Sequence, residues 1–135
     1  MSRLSILAVA VALATAACGS DTPTTPTTPT TVTVTDTFAG TLTPNGAASY
    51  QFTTATSGTL TATLATLAPN SSLIVGLALG TWSGNACQII LSKDSATQAS
   101  FIQGQGSQAS TFCVRIYDVG NVVDPATYEI QVNHP

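Results

Sequence analysis

The side chains able to do chemistry in this chain are few. His134 is the only histidine, six residues are acidic, and Arg3, Lys93 and Arg115 are the only cations. A Ser-His-Asp or metal site built on His134 would have to recruit the last residues of the sequence, where chains fray. His134 is therefore expected as an exposed tail residue. Asp118, Asp124 and Glu129 fall near the last predicted hairpin without the spacing of a calcium loop. They are expected as solvated turn residues, Asp124 before Pro125 being ordinary turn chemistry, with a weak loop calcium site as the alternative. The sequence has no phosphate loop and no Cys/His zinc spacing. Acid–base catalysis needs positioned titratable pairs, so no catalytic residue, metal ligand or cofactor is assigned, and an enzyme is the least supported class. Asn70-Ser71-Ser72 matches a glycosylation sequon, a triplet common by chance.

Two aromatic residues offer binding chemistry instead. Trp82 follows Gly80-Thr81 and precedes Ser83-Gly84-Asn85, a loop-like context. An exposed indole there, together with Tyr117, would stack against a sugar ring with little entropy to lose. The competing reading is a Trp that caps one open end of the fold. Cys87 and Cys113 are expected to form a disulfide, with two buried free thiols as the alternative. Alternation places Phe112, Val114 and Ile116 on a core face and turns Cys113 outward with Arg115 and Tyr117, so the bond is expected as a surface staple between neighbouring strands.

Cys18 belongs to a different pattern. Arg3 supplies one positive charge, and Leu4 to Ala14 (LSILAVAVALA) is an unbroken apolar run. Its length suits a secretory leader and falls short of the roughly 20 residues that span a bilayer. Thr15-Ala16-Ala17-Cys18-Gly19 then resembles the bacterial lipobox, in which a peptidase cuts before a cysteine that is acylated. Thr15 stands where lipoboxes usually carry a branched aliphatic, and an ordinary secretory cut nearby is the alternative. The resemblance implies a signal peptide over residues 1–17, palmitate-type acylation of Cys18 and attachment to the bacterial cell envelope, at the outer membrane or cell surface, with the periplasmic face also open. Ser20 to Thr31 (SDTPTTPTTPTT) contains no apolar residue apart from proline and should run as an extended tether. At about 3.1 Å per residue, a dozen residues would hold a domain some 35–40 Å from a membrane.

These residues need a scaffold, and composition narrows it. Charged residues make up 7% of the chain and threonines number 24; β-branched threonine suits pleated, half-buried surfaces and resists helix. With Arg3 removed, no basic patch remains to meet phosphates, which excludes nucleic acid as a partner. Strand patterns recur over Val32–Phe38, Ala48–Phe52, Gly58–Ala65, Leu73–Leu79, Cys87–Leu91, Ala99–Ile102, Thr111–Asp118 and Thr127–Val132. Leu60, Ala62 and Leu64 share one face, as do Tyr128, Ile130 and Val132. Leu73–Leu79 is continuously apolar and suits a strand covered on both sides. Eight short strands punctuated by Gly, Asn, Pro and Ser predict an all-β fold, a small antiparallel β-sandwich over residues 32–135.

Phe38-Ala39-Gly40-Thr41-Leu42, Tyr50-Gln51-Phe52, Gly58–Leu64, Val114-Arg115-Ile116-Tyr117 and Tyr128–Val132 together resemble the pre-peptidase C-terminal domain, over roughly Thr37 to Pro135. That resemblance implies a jelly-roll-like sandwich. It departs at Ser71–Val75, where the family often has acidic residues, and at Ser110-Thr111-Phe112 in place of a Gly-Thr-Tyr lead-in, so a family-type calcium site is not carried over. Such domains accompany a protease or other enzyme, a role that no motif here supports. The expectation is a non-catalytic, lipid-anchored module for interaction or envelope organisation, its partner an envelope protein or a glycan. A surface carbohydrate-binding module is the alternative.

Overall fold

The protein is described from a computed structural model, which covers Gly19, residues 23–28 and residues 30–135. The leader, Cys18 and the start of the tether lie outside the described residues. Residues 23–28 and 30–33 are exposed and form neither helix nor strand.

Eight strands follow: β1 (Val34–Leu42), β2 (Ala47–Thr54), β3 (Gly58–Ala68), β4 (Val75–Ser83), β5 (Ala86–Ala96), β6 (Phe101–Gly106), β7 (Ser110–Tyr117) and β8 (Ala126–His134). They form two four-stranded antiparallel sheets in the orders β1-β8-β3-β6 and β2-β7-β4-β5. This is the strand order of an eight-stranded jelly roll. Period-two alternation drives it: strands such as β3 and β8 present one apolar row each, and two sheets stacked face to face bury those rows. Leu60, Ala62 and Leu64 of β3 and Tyr128, Ile130 and Val132 of β8 meet Val75, Leu77 and Leu79 of β4 and Val114 and Ile116 of β7 in one core. At about 1.5–3 kcal/mol per fully buried aliphatic side chain, this core is the main stabilising term.

The strands outrun their predicted ends where irregularities reset the alternation. The β3–β8 register shifts between Leu64 and Thr66, a bulge that lets Leu64 and Leu67 both point into the core. Two further shifts interrupt the β4–β5 ladder, between Val75 and Leu77 and between Leu79 and Gly80. The turn expected at Pro44-Asn45-Gly46 is present, with Asn45 at φ 56° and Gly46 N–H donating to the Thr43 carbonyl at 2.8 Å.

The outer face of the first sheet is nearly free of charge. Thr35, Asn133, Thr61 and Gln103 form one cross-strand row. Gln103 Nε2 donates to Thr61 Oγ1 at 3.1 Å, and Gln105 Nε2 to Thr59 Oγ1 at 2.9 Å. The outer face of the second sheet is covered differently. β4 is buried from Val75 to Gly80, so its outward residues Gly76, Ala78 and Gly80 are as inaccessible as its inward ones. A Cβ at Gly76 would enter the Tyr117 ring, and one at Gly80 would run into the Gln88 carbonyl. β5 therefore passes close over β4, and only glycine admits its backbone there.

Candidate functional site

The close passage of β5 explains the disulfide. Cys87 and Cys113 are bonded, with Cα atoms 5.7 Å apart, inside the usual range for such bridges. The expected staple between neighbouring strands is corrected by the sheet order: β4 lies between β5 and β7. The bond crosses over β4 beside Gly80, which pairs with Cys113. Cys113 does turn away from the core cluster, yet it is fully buried because the bridge and β5 cover it.

His134 is also corrected. It is not an exposed tail residue but the last residue of β8, 4% exposed. Its Nε2 lies 3.0 Å from Asp36 Oδ2 and its Nδ1 3.2 Å from the Pro135 carbonyl. The ring packs on Phe52 with centroids 5.1 Å apart. Both ring nitrogens face structural partners, which locks the ring between the two sheets and leaves no nitrogen free to activate a hydroxyl.

Asp118 does structural work as well. Its Oδ1 accepts from the backbone N–H groups of Gly120, Asn121 and Val122 at 2.7, 2.9 and 3.0 Å. Its Oδ2 accepts from Asn45 N–H at 2.8 Å, stitching the β7–β8 loop to the β1–β2 turn. These donors, Asn45 first, hold the carboxyl below its ordinary pKa by favouring the charged form. Asp124 is exposed in a bend before Pro125, whereas Glu129, expected as a solvated turn residue, is half-buried within β8, accepting from Gln131. Among the described residues no three His, Cys, Asp or Glu side chains converge as a metal site would need.

Trp82 and Tyr117 are not brought together. Trp82 lies on β4 rather than in a loop, half-buried and paired with Cys87. Tyr117 ends β7 opposite Gly76. Both face outward on the same sheet, but six residues of β4 separate them, on the order of 20 Å. Tyr117 is held at two points: its ring rests over Gly76, and its hydroxyl donates to Asp94. Burial first, and then the Asp94 carboxylate, push its pKa up.

Tyr117 has other neighbours. With Arg115, Ile89, Asp118 and the Asn45–Ala47 turn it lines a groove of about 470 Å³. Among the described residues the single ion pair is His134–Asp36, so the Arg115 guanidinium is free of a carboxylate partner. Sequence reasoning placed Arg115 beside Tyr117 but missed the groove, because Ile89 and Asn45 arrive from distant segments. A second cleft, about 110 Å³ and mainly apolar, opens between β5 and β6, lined by Leu60, Leu79, Ile90, Leu91 and Phe112. Ile90 is 66% and Phe101 55% exposed at this edge.

No protein-family model matches this chain, and no curated protein matches it.

Proposed function

We propose that this chain is a bacterial lipoprotein, cut before Cys18, held in the cell envelope by acyl chains on that sulfur, and presenting its jelly roll as a non-catalytic interaction module. The observation that carries this is the fate of the cysteines. Of three, Cys87 and Cys113 take each other. Cys18 is left with no intrachain thiol, at the junction of an apolar leader and a Pro/Thr tether, where an acylated cysteine belongs. The disulfide fits an oxidising compartment. One acyl chain binds a membrane only marginally, and two or three retain the protein firmly.

The described titratable groups support a binding role over catalysis: four backbone donors hold Asp118 in its charged form, His134 is committed to Asp36, and Asp94 to Tyr117. The jelly-roll order supports the likeness to pre-peptidase C-terminal domains without separating it from other jelly rolls. The carbohydrate-binding alternative is favoured by one feature, the groove at Tyr117.

The test is mass analysis of the N-terminal peptide from membrane fractions, beside a Cys18→Ser variant. The expected peptide begins at position 18 with acyl mass, and the variant leaves the membrane fraction. A bare thiol at position 18, or wild-type protein free in the culture fluid, refutes the reading.

A further inference from the structure

The groove at the end of β7 has the components of a sugar subsite. Tyr117 supplies an aromatic ring fixed beneath by Gly76 and at its tip by Asp94. Immobilisation matters because a ring already held in place loses no rotamer freedom when a ligand stacks on it. Arg115 lines the same groove and has no carboxylate partner among the described residues, so its N–H groups are available to donate. Asp118 lines the groove too, and its Oδ2 accepts one hydrogen bond, from Asn45, while Oδ1 accepts three. An acceptor site on Oδ2 therefore remains open. Ile89 closes the wall with apolar surface.

We propose that this groove binds an uncharged saccharide, stacked on Tyr117 with its hydroxyls read by Arg115 as donor and Asp118 as acceptor. The local charge selects the class. Asp118 lines the groove with Arg115, and Asp94 stands at the Tyr117 hydroxyl, so two carboxylates accompany one guanidinium. An anionic ligand would meet net repulsion, whereas hydroxyls both donate and accept. The site also has a direction. Ala47 and Tyr117 pair at the end of the sandwich where β1 finishes, and Val34, where β1 begins, pairs with His134 at the opposite end. A chain held through its N-terminus would carry the groove at the far tip. The site does not depend on acylation, so a bare Cys18 would refute the anchor and leave this proposal standing.

The experiment uses the full-length protein in detergent, titrated to several millimolar with cellohexaose, xylohexaose, maltohexaose, chitohexaose and, as the charged arm, hexagalacturonate. Binding is followed by calorimetry and by the NMR signals of the Tyr117 ring and the Trp82 indole. At least one neutral oligosaccharide is expected to shift Tyr117 and leave Trp82 unmoved. Arg115→Gln should weaken that binding about tenfold or more, and Lys93→Gln should not change it. Ala47→Leu, a filling change at an exposed groove position, should weaken it similarly, which covers the case where Arg115→Gln lowers stability. No binding across the neutral panel, tighter binding of the galacturonate, or a response at Trp82 instead of Tyr117 would each overturn the proposal.

Discussion

Reducing the disulfide should destabilise the domain severely while leaving its topology intact. The bond closes a sequence separation of 26 residues. In the chain-entropy account a loop of that size removes about 12 cal/mol/K from the unfolded ensemble, or about 3.5 kcal/mol at 25 °C. A domain near 100 residues loses roughly 4–8 °C of Tm per kcal/mol, so the expected fall is about 14–28 °C. The native state contributes in the same direction, because the bond ties β5 to β7 across β4 and holds the Gln88–Ile89 backbone over Gly80. The assay is thermal unfolding followed by circular dichroism, with and without a phosphine reductant, and in a Cys87→Ser/Cys113→Ser double variant. Alkylation without reduction should label neither cysteine. A fall below about 5 °C, or ready labelling of both thiols in the unreduced protein, would refute the reasoning.

Three further outcomes follow from the geometry. His134→Ala should cost about 2–3 kcal/mol in urea unfolding, since it strips Asp36 of its partner and opens space against Phe52; a change within about 0.5 kcal/mol would be that of an exposed tail residue. Gly80→Ala should cost about 3 kcal/mol or more, because the added carbon meets the Gln88 carbonyl, which is backbone and cannot swing aside. Gly84→Ala, in open space at φ +63°, should cost only about 1–2 kcal/mol, so the two melting curves should separate. Stability against pH should hold a plateau bounded on both sides. Asp118 has a depressed folded pKa against the ordinary 3.8, so its contribution is full above that value and lost as pH falls through the lower folded value. Tyr117 and Tyr128 have raised folded values against the ordinary 10.0, so theirs is full below 10 and lost as pH climbs. Denaturant midpoints taken across the range, compared with Asp118→Asn at the acid limb, check this.

Period-two alternation is a local property, and wherever it ran uninterrupted it could be read directly. It marked Leu60, Ala62 and Leu64, and Tyr128, Ile130 and Val132, as core, and all six are buried. It also turned Cys113 away from the apolar face, and the LIVGLAL run pointed to a strand covered on both sides, as β4 is. It failed at bulges: one extra residue in β3 carries the strand on to Ala68, and composition does not announce such a residue. The candidate site was half legible. Tyr117 and Arg115 share a strand and a face, so alternation joined them, while the Tyr117–Trp82 pairing needed a strand register that no local pattern contains.

The sequence by itself determined the class of fold, the number of strands, which face of β3 and of β8 is apolar, and that three cysteines leave one unpaired. Those features come from neighbours two residues apart or from simple counting. Only the tertiary structure decided that β5 lies over β4 so that Cys87 reaches past it, that His134 is buried against an aspartate 98 residues away, and that Ile89 and Asn45 complete a groove around Tyr117. Each of these depends on the order of strands across a sheet. That order is set by how two twisted apolar faces can be covered at once, which is a property of the assembled sandwich rather than of any segment in it.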